Sequence, residues 1–520
     1  MLAQPEPRSK DFNWGALSLP DVDLTSLDRP FDEDEILQAI AQLPQDKAPG
    51  PDGFTGLFFK SCWPIIKLDI IAATNAFYNL RCAEFNLLNK ANIVLIPKLE
   101  GAEDIRDYRP ISLIHAIAKI ISKILALRLA PFLNALILPC QSAFIRGRTI
   151  HDNYMYVRNI ARKFHKTRTP ALLLKLDISK AFDTVRWDYL LSLMRHRGFP
   201  TRWRNWITAT LASSSSRVLL NVVPLDPILH GRGLRQGDPL SPLLFILAID
   251  PLHRLHQEAT DQGILSKLRG RAARLRLSMY ADDAVIFAKP TATDINNLRN
   301  ILINFGETTG LRTNIRKTSV TPIACVGINL DNILANLPVA RAAFPIKYLG
   351  LPLTVWRLRK IDFQPLIDKA TGKLSTWQGR NLTQAGRVCL TKAVLSSQPV
   401  YLLTALKATK EVLEDLDKIR KRFLWAAGEE LTGGKCKVNW TKSCMPKELG
   451  GLGILNLVKF ARALRLRWLW HSWVSPDKPW ASTELPCDET DRLLFAACTT
   501  IRIGNGRKAS FWDSGWVQGR

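Results

Sequence analysis

Three short stretches of the chain carry the hydrophobic pattern of β-strands. Leu275, Leu277 and Met279 alternate with other residues, and a β-prone run follows at residues 285–287. This spacing predicts a strand, a tight turn and a returning strand. Upstream, residues 171–176 form an apolar run of strand length. We therefore predict one hairpin and one further buried strand.

Helical spacing appears between and around these strands. Ile36, Ile40 and Leu43 recur at helical intervals behind acidic residues that suit a helix N-terminus. We also predict helices over residues 111–129 and 295–305, a strand over 92–98, and a helix whose N-cap and first position are Asp238 and Pro239. Residues 1–30 are rich in Pro, Asp and Ser and lack periodicity, so we expect a flexible arm there.

Three carboxylates stand at the ends of the predicted strands. Asp177 follows the buried run, and Asp282 and Asp283 occupy the turn of the hairpin. Asp is common in ordinary turns, so the pair alone does not indicate chemistry. An acid that ends a buried strand is costly unless it meets a cation or leaves the sheet. Together the three acids predict a site for hard divalent ions, in the simplest case two Mg²⁺ that clamp a phosphoryl displacement.

The charge balance indicates what such a protein binds. The chain has 72 Lys and Arg against 46 Asp and Glu, which gives a formal net charge of +26. This excess indicates a polyanionic partner such as nucleic acid, with a basic solvated surface as the alternative. A hydrophobic content of 47% excludes wholesale disorder.

The sequence lacks the patterns of membrane and secreted proteins. No apolar run reaches the roughly 18–20 residues that span a bilayer, and the N-terminus has no apolar core of a secretory signal. The nine Cys include no C-x-x-C pair. We therefore expect an intracellular, reduced protein without membrane contact.

Three sequence boxes occur in a fixed order. They are Leu-Asp-Ile-Ser-Lys-Ala-Phe-Asp at 176–183, Gly-Leu-Arg-Gln-Gly-Asp-Pro-Leu-Ser-Pro at 233–242, and Tyr-Ala-Asp-Asp at 280–283. In these boxes the chain resembles the reverse transcriptases of non-LTR (LINE-type) retrotransposons common in plants. The resemblance implies an α+β right-hand polymerase with fingers, a ferredoxin-like palm, a helical thumb and a helical C-terminal extension.

The resemblance also implies a division of the chain. Residues 31–355 would hold the fingers and palm, 356–475 the thumb and C-terminal extension, and 476–520 the start of a zinc-binding-type region. The Cys and His ligands of that region would lie further on, so no zinc is expected. Full-length elements carry an upstream endonuclease, which residues 1–30 could not encode, so we expect a truncated copy.

The family resemblance assigns roles at the metal site. Asp177 and Asp282 would hold one ion beside the primer 3′-hydroxyl, and Asp177 with the backbone carbonyl of Ile178 would hold a second ion beside the triphosphate. Asp283 would be a weaker ligand or a support. The implied cofactors are two Mg²⁺, with Mn²⁺ as a substitute. The implied partners are an RNA template, a DNA primer or target DNA, and deoxynucleoside triphosphates.

Further roles follow for the incoming nucleotide. Lys98 and Arg109 would hold its triphosphate, Arg through a two-pronged fork and Lys as a point charge. Phe182, five residues beyond Asp177, would exclude a 2′-hydroxyl, although a core Phe would also fit the pattern. Gln236 would contact the nucleotide and template.

Two more assignments concern proton transfer and the template. Lys317 would protonate the leaving pyrophosphate, because a general acid needs a donor within reach, although a basic strand explains the residue equally. Arg146, Arg148 and Gly237 would contact the template, although Arg and Gly are also ordinary in surface loops.

Three rival functions remain open from the sequence. A group II intron-type maturase shares the Tyr-Ala-Asp-Asp box, but the family-like boxes after residue 340 argue against it. A viral RNA-directed RNA polymerase shares the metal acids, but Phe182 argues against it. An inactive remnant that only binds nucleic acid would share the charge. The family resemblance also implies a nuclear location.

Overall fold

The computed structural model describes residues 7–81, 84–270, 275–374, 379–431 and 436–500, with residues 502, 504 and 505. The chain divides into two compact units. The first comprises residues up to 153 and residues 169–342, and the second comprises residues 154–168 and those from 343 onward. The boundary at residue 342 therefore precedes the predicted boundary at 355, and a segment from the middle of the chain belongs to the second unit.

The strands of the first unit form two sheets. Along the chain they are β1 (Lys90–Pro97), β2 (Tyr108–Ile114), β3 (Ala171–Leu176), β4 (Ser215–Leu220), β5 (Val223–Pro224), β6 (Ile228–Leu229), β7 (Leu277–Tyr280), β8 (Asp283–Ala288), β9 (Ser319–Ile323) and β10 (Ala340–Arg341). The first sheet has the order β2-β1-β4-β5, with β6 also paired to β4, and the second has the order β10-β9-β3-β8-β7.

The second sheet is built around β3. This strand pairs antiparallel with β8 on one side and with β9 on the other. All its residues except Lys175 are buried, which agrees with the continuous apolar run in the sequence. The predicted hairpin is confirmed as the antiparallel pair β7 and β8. The first unit thus combines helices with mainly antiparallel sheets, as the predicted α+β class requires.

Helices alternate with these strands along the chain. Up to residue 342 they are α1 (Glu33–Ala41), α2 (Gly56–Ser61), α3 (Trp63–Tyr78), α4 (Phe85–Leu88), α5 (Ala116–Leu129), α6 (Leu133–Leu136), α7 (Ile150–Lys166), α8 (Ala181–Thr184), α9 (Trp187–His196), α10 (Thr201–Ala212), α11 (Ser241–Ile249), α12 (Pro251–Asp261), α13 (Ala292–Thr309) and α14 (Leu330–Leu334). Most of α7 belongs to the second unit. Eight of the nine residues of α11 are buried, as expected for a helix with apolar side chains on every face.

Several predicted boundaries were wrong. The helix expected over 111–129 begins at Ala116, because residues up to Ile114 pair with β1. The carboxylate of Asp52 accepts a hydrogen bond from the amide of Ala116 at 2.6 Å. The helix expected from Asp238 begins at Ser241, and Asp238 instead accepts the amides of Leu240 and Ser241.

The segment around residues 14–27 is part of the packed core of the first unit, whereas a flexible arm was predicted. Leu17, Leu24 and Leu27 are buried. The ring of Trp14 stacks on His196 with centroids 4.8 Å apart. These apolar residues are spaced too irregularly to show periodicity, so the sequence pattern did not reveal that they are part of the core.

Buried ion pairs fasten the helices of the first unit. Asp250 accepts from Arg197 at 2.5 Å and from Arg254 at 2.9 Å. Glu35 accepts from Arg128 at 2.7 Å through both of its oxygens. Some of the many Arg residues therefore serve the fold rather than a polyanionic partner.

The second unit is largely helical. It contains the hairpin β11 (Ile346–Tyr348) and β12 (Leu351–Leu353), and the helices α15 (Gln364–Gly372), α16 (Gln384–Leu390), α17 (Val400–Ala405), α18 (Lys410–Ala426), α19 (Trp440–Ser443), α20 (Leu457–Val474) and α21 (Glu489–Cys498). Trp468 and Trp480 are buried and meet edge to face at 4.7 Å. These two Trp residues therefore belong to the core of the unit.

Within the described ranges, no helix combines the length and the apolar composition needed to cross a bilayer.

Candidate active site

The three predicted acids converge on one edge of the β3 sheet. Leu176, the last residue of β3, pairs with Ala284 of β8, so the next positions along the two strands are Asp177 and Asp283. Tyr280 pairs with Asp283, so the hairpin turn consists of two residues, one of which is Asp282. The other turn residue, Ala281, has φ 52°, the left-handed conformation favoured in two-residue hairpin turns.

The acids interact electrostatically. Burial raises the pKa of Asp282 above its ordinary value, and the charges of Asp283 and Asp177 raise it further. Burial and the charge of Asp177 also raise the pKa of Asp283, against a lowering by Lys175. Both side chains keep solvent contact, which screens these effects. An added cation would relieve the mutual repulsion.

The donor set at this edge consists of hard carboxylate oxygens. Among the described residues, no group of three or more His, Cys, Asp or Glu side chains is placed to hold a metal ion by itself. Mg²⁺ is usually held by one or two carboxylates, with water and substrate phosphates filling the remaining positions. Asp177, Asp282 and Asp283 supply hard oxygen ligands of this kind at one edge.

Backbone hydrogen bonds fix the segment after β3. The amide of Asn314 donates to the carbonyl of Asp177 at 2.7 Å, and the amide of Ser179 donates to the carbonyl of Arg312 at 2.9 Å. Ile178, between these bonds, forms an isolated bridge with Thr313. In such an antiparallel bridge the polar groups of the central residue point away from the partner. The carbonyl of Ile178 is therefore directed away from residues 312–314, as a metal ligand would require.

Lys317 lies in the turn that follows these contacts. Its amide donates to the carbonyl of Asn314 at 3.2 Å, and its side chain is exposed. The structure thus connects Lys317 to the Asp177 segment through Asn314. Its role as proton donor stays a prediction.

Phe182 lies on α8, directly after the Asp177 segment, and is partly buried. Its ring stacks on the buried ring of Phe245 from α11, with centroids 4.5 Å apart. The carbonyl of Phe182 accepts a hydrogen bond from the amide of Leu234 at 2.7 Å. This bond holds the loop that begins the 233–242 box next to Phe182. The packing accounts for Phe182 as a core residue, and its role as a sugar gate stays a prediction.

Gln236 and Gly237 continue the same loop. The side chain of Gln236 hydrogen-bonds to the Asp183 carboxylate and lowers its pKa, against a larger raising effect of burial. Gly237 has φ 118°, and a Cβ there would lie 2.5 Å from the carbonyl oxygen of Ser112 on β2. Close packing thus explains this glycine without a template, and its template contact stays a prediction.

Lys98 and Arg109 come together at the end of the β1–β2 hairpin. Arg109 pairs with Ile96, and Lys98 lies two residues beyond Ile96, so both side chains project from one face. Both are exposed, and the Lys98 ammonium donates to the carbonyl of Arg106 at 2.6 Å. The structure places both cations at the same end of the hairpin, and their triphosphate contact stays a prediction.

Arg146 and Arg148 differ in their surroundings. The guanidinium of Arg148 donates to the carbonyls of Leu138, Gln141 and Ile137 at 2.7, 2.8 and 3.0 Å. These bonds give Arg148 a structural role, because they hold the loop from within. Arg146 is exposed, so its guanidinium is better placed for a template contact.

A basic cleft adjoins the Asp177 segment. It has a volume of about 500 Å³ and is lined by Ser179 together with Arg186, Arg232, Arg312 and Arg316. Arg186 is also paired with Asp188 at 2.7 Å. Such a cleft can accept phosphate groups. No single sequence motif predicts this cleft, because its cations come from separate segments of the chain.

Sequence reasoning also missed two buried amides beside the turn that carries Asp282. Gln141 hydrogen-bonds to the backbone of Ala281, and Asn153 donates to the carbonyls of Cys140 and Met279. Only these tertiary contacts show what the two side chains do.

Comparison with known proteins adds evidence to this geometry. Residues 96–353 match the family model described as reverse transcriptase (RNA-dependent DNA polymerase). The chain has a reverse transcriptase domain. The matched residues include the three acids, Phe182 and the Gln236 loop, but not the helices of the second unit that follow residue 353.

The relatives of this reverse transcriptase domain belong to mobile elements. The chain is 29% identical to the transposon TX1 uncharacterized 149 kDa protein of Xenopus laevis, over 88% of the chain and 34% of that protein. It is 26% identical to the retrovirus-related Pol polyprotein of type-2 retrotransposable element R2DM of Drosophila melanogaster, over 81% of the chain and 39% of that protein. These relatives fit the non-LTR class that the boxes indicate.

A plant protein is also similar over a shorter region. The chain is 29% identical to a putative ribonuclease H protein of Arabidopsis thaliana, over 33% of the chain and 31% of that protein. The chain spans 31% to 39% of the length of these three relatives. The comparison therefore concerns the reverse transcriptase region and its neighbourhood, not whole retroelement proteins.

Proposed function

We propose that this chain is an RNA-directed DNA polymerase that copies retroelement RNA by adding nucleotides to a primer 3′-hydroxyl. The observation that carries the proposal is the convergence of Asp177, Asp282 and Asp283 within a reverse transcriptase domain. Their repulsion is useful in a protein that binds divalent cations at this edge.

The chain contributes oxygen ligands and their orientation. Asp177 and Asp282 would hold one ion, and Asp177 with the carbonyl of Ile178 would hold a second, with Asp283 in support. Two bound Mg²⁺, or Mn²⁺ in their place, would supply Lewis acidity to the attacking hydroxyl and to the phosphates. The β7–β8 hairpin and the Asn314 contact keep the acids in register before substrate arrives.

Other residues would bind and select the nucleotide. Lys98 and Arg109 offer two cations on one face to its triphosphate. Phe182 is supported from behind by Phe245, so its ring can limit the space below the sugar. Gln236 would contact the nucleotide and template, Lys317 would donate a proton to pyrophosphate, and Arg146 would contact the template backbone.

The finer architecture belongs to the same proposal. We assign the β1–β2 sheet to the fingers, the β3 sheet to a ferredoxin-like palm, and the helices of the second unit to a thumb and C-terminal extension. The partners would be an RNA template, a DNA primer or target DNA, and deoxynucleoside triphosphates, acting in the nucleus. Pairing reads the template sequence, so the protein would contact mainly the backbone and helical shape.

Primer extension tests the proposal. A DNA primer on an RNA template is incubated with Mg²⁺ and deoxynucleotides, and the unmodified chain is compared with Asp282→Asn. Asp226→Asn is the matched control, since Asp226 is an exposed acid of the same unit. We expect extension by the unmodified chain and the control only.

Three outcomes would overturn the proposal. Equal extension by Asp282→Asn would show that the acids do not carry the reaction. A folded, unmodified chain that binds the primer–template but never extends it would be a nucleic-acid-binding remnant. Preference for ribonucleotides would instead identify an RNA-directed RNA polymerase.

A further inference from the structure

The buried side chain of Gln141 hydrogen-bonds to the turn that carries Asp282. Gln141 is fully buried, and its side-chain oxygen accepts the amide of Ala281 at 2.9 Å. Its side-chain nitrogen donates to the carbonyl of the same Ala281 at 3.2 Å. Both backbone groups of one turn residue are therefore bound by one side chain from a distant part of the chain.

The two hydrogen bonds from Gln141 stabilise the turn at its strained residue. Ala281 has φ 52°, a conformation that costs energy for any residue with a Cβ. The next residue is Asp282, whose carboxylate is repelled by Asp177 and Asp283. The two bonds from Gln141 fix the peptides on both sides of Ala281, including the one that precedes Asp282, and so restrain where the Asp282 carboxylate can go.

The same amide also organises its own segment. The oxygen of Gln141 accepts a second bond, from the amide of Ala143 at 3.0 Å. The next residue, Phe144, is 50% exposed although it is aromatic, and it has φ 60°. A bulky residue held in the left-handed region is unusual and costs energy, so the surrounding structure must hold it there. Arg146, also exposed, follows two residues later.

We propose that residues 141–146 link bound nucleic acid to the catalytic turn. Gln141 is a positioning residue that holds the Ala281–Asp282 turn, and Phe144 stacks on a base of a single-stranded template segment. An exposed aromatic beside a cation suits such a strand, because its ring takes the base and the cation takes the phosphate. This proposal rests on the proposed polymerase function.

The positioning role of Gln141 is tested by measuring kcat separately from the Kd for primer–template. Gln141→Met keeps the length of the side chain but removes all three hydrogen bonds, and Gln141→Glu keeps the two acceptor bonds and loses the donor. We expect kcat to fall on the order of 100-fold in Gln141→Met, as a small misplacement of reacting groups allows. Primer–template Kd, measured by fluorescence anisotropy without nucleotides, should change less than about twofold.

Controls keep this test decisive. Thr74→Val removes a buried hydrogen bond from α3, within the same unit, and should leave kcat unchanged. If Gln141→Met does not fold, Gln141→Glu decides, with a lower kcat and a higher Mg²⁺ requirement expected. Unchanged kcat and Mg²⁺ dependence in a folded Gln141 variant would overturn the positioning role.

Phe144 should show the opposite kinetic pattern. We expect Phe144→Leu, which keeps an apolar side chain but loses the aromatic face, to weaken single-stranded RNA binding about tenfold. Phe144→Tyr should bind normally, and kcat at saturating template should change little in both. Equal affinity of Phe144→Leu and the unmodified chain would overturn the stacking contact. Because binding is measured without nucleotides, this result is independent of polymerase activity.

Discussion

The ring of Phe182 lies nearly parallel to the ring of Phe245, with an angle of 16° between the planes and 4.5 Å between the centroids. Phe245 is fully buried in α11. A nucleotide that pressed on Phe182 would therefore meet a packed core rather than a mobile side chain. Under the proposed function, this pair would connect the selection of the sugar to the packing of the domain.

A smaller side chain at this place should admit ribonucleotides. We expect Phe182→Val to reduce the preference for deoxynucleotides over ribonucleotides, measured as the ratio of their kcat/KM values, by about 10–100-fold. Phe245→Leu is the control for lost packing and should lower stability more than selectivity. A preference that stays at the unmodified level in folded Phe182→Val would refute the gate.

Divalent ions should stabilise the fold because they neutralise the repulsion among Asp177, Asp282 and Asp283. The raised pKa values of Asp282 and Asp283 mean that their charged forms are disfavoured in the native state without a cation. We expect Mg²⁺ to raise the Tm of the unmodified chain and to raise that of Asp177→Asn much less. In the absence of Mg²⁺, Asp283→Asn should have a higher Tm than the unmodified chain. A lower Tm for Asp283→Asn would contradict this account.

The same pKa shifts predict how activity responds to acid. Protons compete with Mg²⁺ for these carboxylates, and a raised pKa brings that competition to a higher pH. We expect the Mg²⁺ concentration for half-maximal extension to rise as the pH is lowered. Titrations at several pH values measure this. A requirement that does not change with pH would argue against a direct role for the two acids.

The buried charges around Asp250 should matter for stability rather than chemistry. Burial raises the pKa of Asp250, but Arg197 and Arg254 outweigh it, so the pKa lies below its ordinary value. The stabilisation is present at neutral pH and is lost as the pH falls through that lowered pKa. Asp250→Ala should cost about 3–5 kcal/mol of unfolding free energy, because it leaves two guanidinium groups buried without their partner.

Denaturant unfolding of the first unit checks the Asp250 prediction. Asp226→Asn, at an exposed position, is expected to stay within about 0.5 kcal/mol of the unmodified chain. If Asp250→Ala and Asp226→Asn had similarly small effects, the ion pairs of Asp250 with Arg197 and Arg254 would contribute little to the free energy of unfolding.

The two arginines of the segment after Gln141 should separate into different roles. Arg146→Ala should weaken nucleic acid binding and reduce its salt dependence by about one unit of slope, since an exposed guanidinium can contact phosphate. Arg148→Ala should lower Tm, because three carbonyls lose their donor. A purely electrostatic effect of Arg148→Ala with unchanged Tm would reverse the assignment.

Local pattern was sufficient for much of the fold. The apolar run before Asp177 and the alternation before Asp282 are local properties, and the structure confirms the strands that they predict. Boundaries were less predictable, because competing hydrogen bonds decide them. The segment before Ala116 became a strand through its pairing with β1, although its apolar residues also suit a helix.

The sequence by itself determined which residues could do chemistry: three acids at strand ends, their order along the chain, and the family to which their boxes belong. Only the tertiary structure decided which cations serve the fold and which remain exposed, as the contrast between Arg148 and Arg146 shows. It also decided that Gln141 holds a turn 140 residues away. The physical reason is that burial and hydrogen-bond partners depend on contacts between distant segments, which no local pattern encodes.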